Sequence, residues 1–362
     1  MLNTSLILFM VVTMPINFSS FKNHKNYDFS KFSVQHLIIT EDYQDQRLDN
    51  FLYNLFNKKV ARSLIYSLIR TGQVRINSGR IKPNYHLNIN DDVRVPPIQI
   101  DVDKLTKNTS TPKKTSNKHL KMWQDKINKA VVFEDENLLI INKPAKLAVH
   151  GGSRVNIGLI EILRSLRPDE NFLELVHRLD KDTSGCIMIA KKRSYLKKLH
   201  LLLREKKITK IYSALVQGTF TEKKNIELPL KKIIKNSKEH FVKSSMDGSY
   251  AKTVCVPDKV FTSAESANLN SSLITAKPLT GKTHQIRVHL ASIGFPIAND
   301  DKYGNREYNS NIKEFGLNRM FLHARRLEFV CPKTGKTILA DAKYDVELTN
   351  FLSKLGTLGA HL

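Results

Sequence analysis

Two apolar runs, Phe172-Leu173 with Leu175-Val176 and Ile187-Met188-Ile189-Ala190, flank a polar cluster, His177-Arg178-Leu179-Asp180-Lys181-Asp182-Thr183-Ser184-Gly185. Short apolar runs bounded by turn signals read as buried strands. The polar residues between them then form a loop held by two core strands. Binding and catalytic groups concentrate on loops positioned by a rigid scaffold. Asp180 is the candidate catalytic carboxylate. A lone acid in a loop also serves well as a turn cap, and the rest of the chain has to decide between these readings.

The chain has 362 residues, enough for two or three domains and a sizeable core. Lys and Arg total 58 against 34 Asp and Glu, a formal charge of +24. Such a surplus favours a polyanionic partner, nucleic acid first. No long basic amphipathic helix points to a membrane surface. Cys186, Cys255 and Cys331 stand far apart with no C-x-x-C pair. That spacing argues against a disulfide framework or a zinc site and fits a reducing cytosol. The apolar stretch Leu6–Val12 is too short to span a bilayer and lacks a charged flank before it. Residues 1–32 are expected to form a disordered extension.

A compact module is predicted over residues 33–98. A helix begins at Arg47-Leu48-Asp49, with Leu48, Phe51, Leu52 and Leu55 at helical spacing. A second, near Ala61–Arg70, is expected to bury Leu64, Ile65, Leu68 and Ile69, and Gly72 suits its C-terminal cap. Val74–Asn77 and Asp91–Val95 read as strands. Residues 99–123 are polar, rich in Ser and Thr, and basic, which reads as a flexible linker. Residues 124–357 form one long strand-rich region, followed by a short tail at 358–362. Strands are expected at 131–133, 138–141, 187–190, 212–217, 273–277 and 326–331, with helices at Val155–Arg167 and Ser194–Lys206. No regular βαβ alternation appears. The fold class is therefore α+β, with a mixed, mostly antiparallel central sheet in the larger domain.

Gly281-Lys282-Thr283 and Gly335-Lys336-Thr337 hint at nucleotide phosphate loops. A P-loop needs a further glycine five residues earlier, and those positions hold Ala276 and Val330. Both candidates fail. Tyr212 in Lys210-Ile211-Tyr212 can be read as an ordinary strand tyrosine. Arg287 in Gln285-Ile286-Arg287-Val288-His289 lies in an apolar context, where a buried guanidinium needs a carboxylate partner.

The order of these pieces narrows the reading. Lys143-Pro144 and His150-Gly151-Gly152 come first, then His177-Arg178-Leu179-Asp180 with Thr183-Ser184-Gly185. Lys210-Ile211-Tyr212 and Gly281-Lys282-Thr283-His284-Gln285-Ile286-Arg287-Val288-His289 follow, and Asp300, Tyr303-Gly304 and Phe321–Ala324 close the series. The chain resembles the ribosomal RNA pseudouridine synthases that carry an S4 RNA-binding module ahead of the catalytic domain. The resemblance covers about residues 33–355. The S4 likeness rests on Arg47-Leu48-Asp49, Ala61-Arg62-Ser63 and Gly72–Asn77.

That resemblance implies roles residue by residue. The family's catalytic aspartate falls on Asp180, its active-site tyrosine on Tyr212, and the basic partner of the aspartate on Arg287. Arg178 falls on the arginine that helps displace the target base, and Leu322 on an apolar residue of the pocket. His177 and Thr183, beside them in the motif, are further candidate substrate contacts. Lys58, Lys59, Arg62, Arg70, Arg75, Arg80 and Lys82 surround the S4 signature and are candidate phosphate contacts. Asp182 is expected to cap the loop. The family pattern K-P-x-G is here Lys143-Pro144-Ala145-Lys146, and an arginine of the pattern is Lys282.

The implied activity is isomerisation of uridine to pseudouridine in 23S rRNA, on naked RNA or in the assembling large subunit. The base must leave its stack. The N1–C1′ bond then breaks and a C5–C1′ bond forms. No atom is gained and no redox change occurs, so neither a metal nor a nucleotide cofactor is expected. An ionised Asp180, kept charged by Arg287, would add to the sugar or base or stabilise charge at C1′. Tyr212 would stack on uracil and help with the C5 proton. A cytoplasmic monomer without membrane association is expected. The rival reading is a non-catalytic RNA-binding or ribosome-assembly factor, which would have no need of Asp180, Tyr212 and Arg287 together.

Overall fold

The computed structural model describes residues 33–56, 60–98, 117–151, 157–170, 172–235, 239–262, 269–357 and 360–361. Lys58 and Lys59, residues 1–32 and the linker segment 99–116 lie outside the described residues. The chain divides into two compact units, one comprising Met1–Ser110 with Pro168–Asn171 and the other the remainder.

In the first unit, strands β1 (Gln35–Ile38), β2 (Arg75–Ile76) and β3 (Asp92–Val95) form an antiparallel sheet in the order β1-β3-β2. Helices α1 (Leu48–Leu55) and α2 (Arg62–Arg70) supply the rest of its core. Leu48, Phe51, Leu52 and Leu55 are buried as their spacing predicts. On α2 the buried residues are Ile65, Leu68 and Ile69, whereas Leu64 is 43% exposed. The expectation for Leu64 was wrong because it lies about 100° around the helix from Ile65, beyond the edge of the buried stripe.

Asp49 gives the Arg-Leu-Asp signature a structural reason. It is buried, and its carboxylate accepts hydrogen bonds from Arg47 Nε (3.2 Å) and Nη2 (2.8 Å), Tyr66 Oη (3.1 Å) and Asn50 N (2.8 Å). Burial pushes this carboxyl up, but the bonds from Arg47 and Tyr66 outweigh it and hold the group below its ordinary range. Tyr66 lies on α2, so Asp49 ties the two helices together. Gly72 follows α2 with φ +72°, the left-handed conformation that helix termination favours in glycine.

The second unit is built on an eleven-stranded sheet. Its strands are β4 (Val131–Glu134), β5 (Leu138–Lys143), β6 (Glu174–Leu175), β7 (Ser184–Ala190), β8 (Thr209–Gln217), β9 (Lys224–Glu227), β12 (Lys252–Phe261), β13 (Ser271–Pro278), β14 (Leu322–Val330), β15 (Thr337–Asp341) and β16 (Ala360–His361). The main order is β16-β12-β13-β8-β14-β7-β5-β4, with β15 on β14, β6 on β7 and β9 on β12. Only the β14–β7 pairing is parallel, so the sheet is mixed and mostly antiparallel. The sheet reaches past residue 357, through Ala360 opposite Phe261. Strands β10 (Leu230–Lys235) and β11 (Glu239–Ser244) form a separate antiparallel hairpin.

Helices α3 (Asn117–Asn128), α4 (Leu159–Leu166), α5 (Arg193–Arg204), α6 (Gln285–Ser292), α7 (Arg306–Glu314) and α8 (Val346–Gly356) complete the unit. β5 and β7 are covered on both faces. Leu138, Ile140, Cys186 and Met188 pack with Tyr195 and Leu199 of α5. Leu139, Ile141, Ile187 and Ile189 pack with Ile160 and Leu163 of α4. Double burial explains why these strands read as continuous apolar runs rather than as alternating ones. The three cysteines are buried and free. Among the described residues no helix is long and apolar enough to cross a membrane.

Candidate active site

The polar loop is the connection between β6 and β7, which pair with each other. Its backbone is pinned at several points. Val176 N donates to Met188 O (3.0 Å), and Thr183 N to Asp180 O (3.2 Å). The Lys143 side chain is fully buried, and its Nζ donates to Pro144 O (2.9 Å), Leu147 O (2.8 Å) and Lys181 O (3.1 Å). Burial, then the charge of Arg319, lowers this ammonium to about 7. Lys143 thus fixes the loop one residue past Asp180.

Gly185 is required where β7 meets β14. Its φ is +108°, and a Cβ there would come within 2.3 Å of Ala324 O. Beneath the loop, Ser184 Oγ lies 2.7 Å from His323 Nδ1 and accepts a hydrogen bond from Arg319, which also pairs with Asp345. His323 Nε2 donates to Ala342 O (2.9 Å), so the Ser184 hydroxyl donates to Nδ1. Burial lowers this imidazole to about 4.

A cleft of about 1010 Å³ opens beside the loop. Asp180, Tyr212, Arg287 and Leu322 all line it, together with His177, Arg178 and Thr183. Asp180 and Arg287 are 107 positions apart in sequence, and Arg287 Nη1 donates to Asp180 Oδ2 at 3.1 Å. The other face of the guanidinium is held by Asp300, which accepts from Nε and Nη2 at 2.7 Å each. Asp300 also accepts from the backbone N–H of Lys302 (2.9 Å) and Tyr303 (3.1 Å). Burial pushes the Asp300 carboxyl up, but Arg287 and these N–H groups hold it below its ordinary range. Burial likewise works against the Arg287 charge, and Asp300 and Asp180 more than offset it. Arg287 is therefore a fixed cation, with one N–H face turned to Asp180.

Tyr212 sits on β8, between β13 and β14. Burial, then the Asp180 charge, raises its phenol above the ordinary value. At neutral pH its phenol keeps its proton, so it brings a flat ring and an O–H to the cleft rather than a phenolate. Leu322 is buried at the start of β14.

The remaining candidates differ in availability. His177 Nε2 accepts from Met188 N (3.2 Å), and burial lowers its imidazole to about 3, so one ring nitrogen is committed to the backbone. Thr183 is buried at the cleft edge. Arg178 is exposed and lines both this cleft and an adjoining hollow of about 530 Å³, and among the described residues no carboxylate pairs with it. Asp182 does not cap the loop. It is exposed, and no backbone N–H among the described residues donates to its carboxylate. The turn is closed by Thr183 N and Asp180 O instead.

In the first unit Arg62, Arg70, Arg75, Arg80 and Lys82 are exposed. Arg62 donates to Asn50 (3.1 Å) and stacks over Tyr53, and Arg75 donates to Gly72 O (3.0 Å). These two are partly committed to their own unit.

Asp300, His284 and Lys143 belong to motifs visible in the sequence, yet their roles were not predicted. The need for Asp300 shows only in the fold: a guanidinium buried this deeply requires more negative charge than the partly exposed Asp180 supplies. No group of three or more His, Cys, Asp or Glu among the described residues could hold a metal ion.

Residues 137–292 match the family model of RNA pseudouridylate synthase, and residues 46–93 match the S4 domain model. The chain is 45% identical over 324 residues to ribosomal large subunit pseudouridine synthase C of Haemophilus influenzae, covering 89% of this chain and 95% of that protein. The same-named protein of Escherichia coli strain K12 is 42% identical over 326 residues, with 89% and 97% covered. The fold is similar to that of human RNA pseudouridylate synthase domain containing 4, with a TM-score of 0.52 at 23% identity over 68% of this chain and 99% of that one. With a family model matching residues 137–292 and relatives aligned along nearly their whole length, the chain belongs to the family of S4-containing ribosomal large subunit pseudouridine synthases.

Proposed function

We propose that this protein isomerises uridine to pseudouridine in 23S rRNA, with Asp180 as the catalytic carboxylate. The observation that carries the reading is the triad of contacts Asp180–Arg287–Asp300 at the wall of a cleft also lined by Tyr212 and Leu322. A carboxylate aimed into a cleft by a cation that is itself locked in place is suited to act at an electron-poor sugar carbon. The flipped base enters the cleft with Tyr212 as its stacking face and Leu322 as an apolar wall. The N1–C1′ bond breaks, the detached uracil turns, and C5 bonds to C1′. The C5 proton then leaves. Arg178, exposed at the mouth, is suited to fill the space that the base vacates.

Residues 33–98 act as the S4 RNA-binding domain and 99–116 as a basic linker; the helix Asn117–Asn128 takes up the end of the linker expected at 99–123, and the catalytic domain runs on from it. The exposed arginines and Lys82 contact phosphates, and sequence is read in the cleft. The protein works as a cytoplasmic monomer on 23S rRNA or on the assembling large subunit. Its three free, buried cysteines suit a reducing compartment. The test is a pseudouridine map of 23S rRNA transcript before and after incubation with the purified protein. New pseudouridine at defined positions is expected. An unchanged map on both naked transcript and immature large subunits would reject the proposal.

A further inference from the structure

His284 stands at the head of α6 with φ 53° and ψ 20°, in the left-handed region. A non-glycine residue held there costs on the order of 1 kcal/mol, and such strain concentrates at functional sites. Its cause is visible. Gln285 staples the preceding turn: its Oε1 accepts from Thr280 Oγ1 (2.7 Å) and Lys282 N (3.0 Å), while its Nε2 donates to Lys252 O (2.9 Å) and Thr253 Oγ1 (3.0 Å). With the turn fixed, His284 lines the cleft together with Arg287 and Asp180.

The hydrogen bonds of Tyr303 fix the His284 tautomer. Tyr303 Oη accepts from Val242 N at 3.1 Å and lies 2.8 Å from His284 Nδ1. If Nδ1 carried the proton, two N–H groups would point at Oη, and the hydroxyl proton would have no acceptor among the described residues. The arrangement that pairs Val242 N–H, the Tyr303 hydroxyl and Nδ1 together has Tyr303 O–H donating to Nδ1. Burial lowers the imidazole below its ordinary value, so the ring is neutral at pH 7 and its one proton sits on Nε2. That N–H lies 3.7 Å from Asp180 Oδ2, too far for a hydrogen bond. Oδ2 already accepts from Arg287. Among the described residues Nε2–H therefore has no hydrogen-bond partner, and it stands beside the candidate catalytic carboxylate in an open cleft.

We propose that His284 contacts the substrate, its Nε2–H donating to the uracil carbonyl that flanks the glycosidic nitrogen. In uridine that oxygen is O2, since C2 neighbours N1. The reaction exchanges N1 for C5 by a half-turn about the axis through N3 and C6, and the same half-turn exchanges C2 for C4. A fixed donor that holds O2 before the turn meets O4 after it. His284 thus addresses one carbonyl position at both ends of the rotation and keeps the loose ring in the plane from which C5 attacks C1′.

This inference rests on Asp180 being the catalytic carboxylate, and the test separates the two. A short 23S rRNA fragment carrying the mapped target uridine, or 2-thiouridine at that position, is converted under single-turnover conditions by wild type, His284→Phe and Asp180→Asn. Sulfur is a weak acceptor. The 2-thio substitution should slow wild type by about 10-fold and His284→Phe by less than about 2-fold, because the lost hydrogen bond is already absent. RNA affinity of His284→Phe should stay within about 2-fold of wild type, since phosphate contacts dominate it. Tyr303→Phe frees the tautomer and should weaken the 2-thio effect in the same direction, and it replaces His284→Phe if that variant does not fold. Equal slowing by 2-thiouridine in wild type and in the variant overturns the proposal. Activity in Asp180→Asn would instead overturn the reading beneath it.

Discussion

Arg287 and Asp300 form a bidentate pair, with two N–H···O contacts of 2.7 Å and side chains 9% and 0% exposed. Asp300 does not face the cleft opening. It aims Arg287, which in turn addresses Asp180. Asp300→Asn leaves a buried guanidinium with half its compensation. We expect a loss of about 2–4 kcal/mol in urea unfolding, with slower single-turnover conversion at unchanged RNA affinity. Wild-type stability and rate in this variant would mean that Asp180 alone suffices to hold Arg287.

Lys143 ties the loop that carries Asp180 to β5 through three carbonyl acceptors, one of them Lys181 O. Lys143→Met keeps most of the apolar stem and strands all three. A loss of about 1–3 kcal/mol is expected, together with reduced turnover as the loop slackens. Denaturant midpoints and conversion rates measured on the same preparation check both effects.

A buried imidazole, His323, and a half-buried one, His177, make the fold acid-sensitive. His323 is held at about 4 and His177 at about 3, each below the ordinary 6.5. Between pH 6.5 and about 4 the unfolded chain binds protons that the native state refuses. Stability therefore falls as pH falls through that window and is unaffected by these groups above it. For His323 the full effect is roughly 3 kcal/mol. His323→Gln retains an acceptor for Ser184 and a donor for Ala342 O. Its unfolding free energy should fall less steeply between pH 6.5 and 4.5 than that of wild type.

The exposed arginines of the first unit should act through phosphate charge. Arg70→Ala with Arg80→Ala should weaken binding to 23S rRNA fragments of different sequence alike. The slope of log K against log salt should fall in magnitude by roughly 1.5 for the two lost contacts. An unchanged slope would remove these residues from the RNA interface.

How far the sequence could be read varied with the physics of each segment. β5 and β7 were legible because burial on both faces leaves an unbroken apolar run. α6 was not. Gln285 to Leu290 are all buried, with Arg287 and His289 made tolerable by polar partners, so the helix has no polar face to give it a period. The gathering of Asp180, Tyr212, Arg287 and Leu322 was implied by the resemblance to the family, not by the residues alone. The share of Asp300 in that site did not, since only the folded turn brings it to Arg287. Lys146, where the family pattern has glycine, adopts φ 66°. The glycine has a conformational reason, and this chain tolerates a lysine in its place at a cost of about 1–2 kcal/mol. Asp182 was misjudged as a cap because a turn rich in acids and hydroxyls does not announce which oxygen closes it.

The central claim is that Asp180 performs the isomerisation. It is tested most directly by release of tritium from 23S rRNA labelled at C5 of uridine, comparing wild type with Asp180→Asn at equal RNA binding. The account predicts stoichiometric release at the target sites by wild type and none above background by the variant. Equal release by both proteins, or no release by wild type, would contradict it.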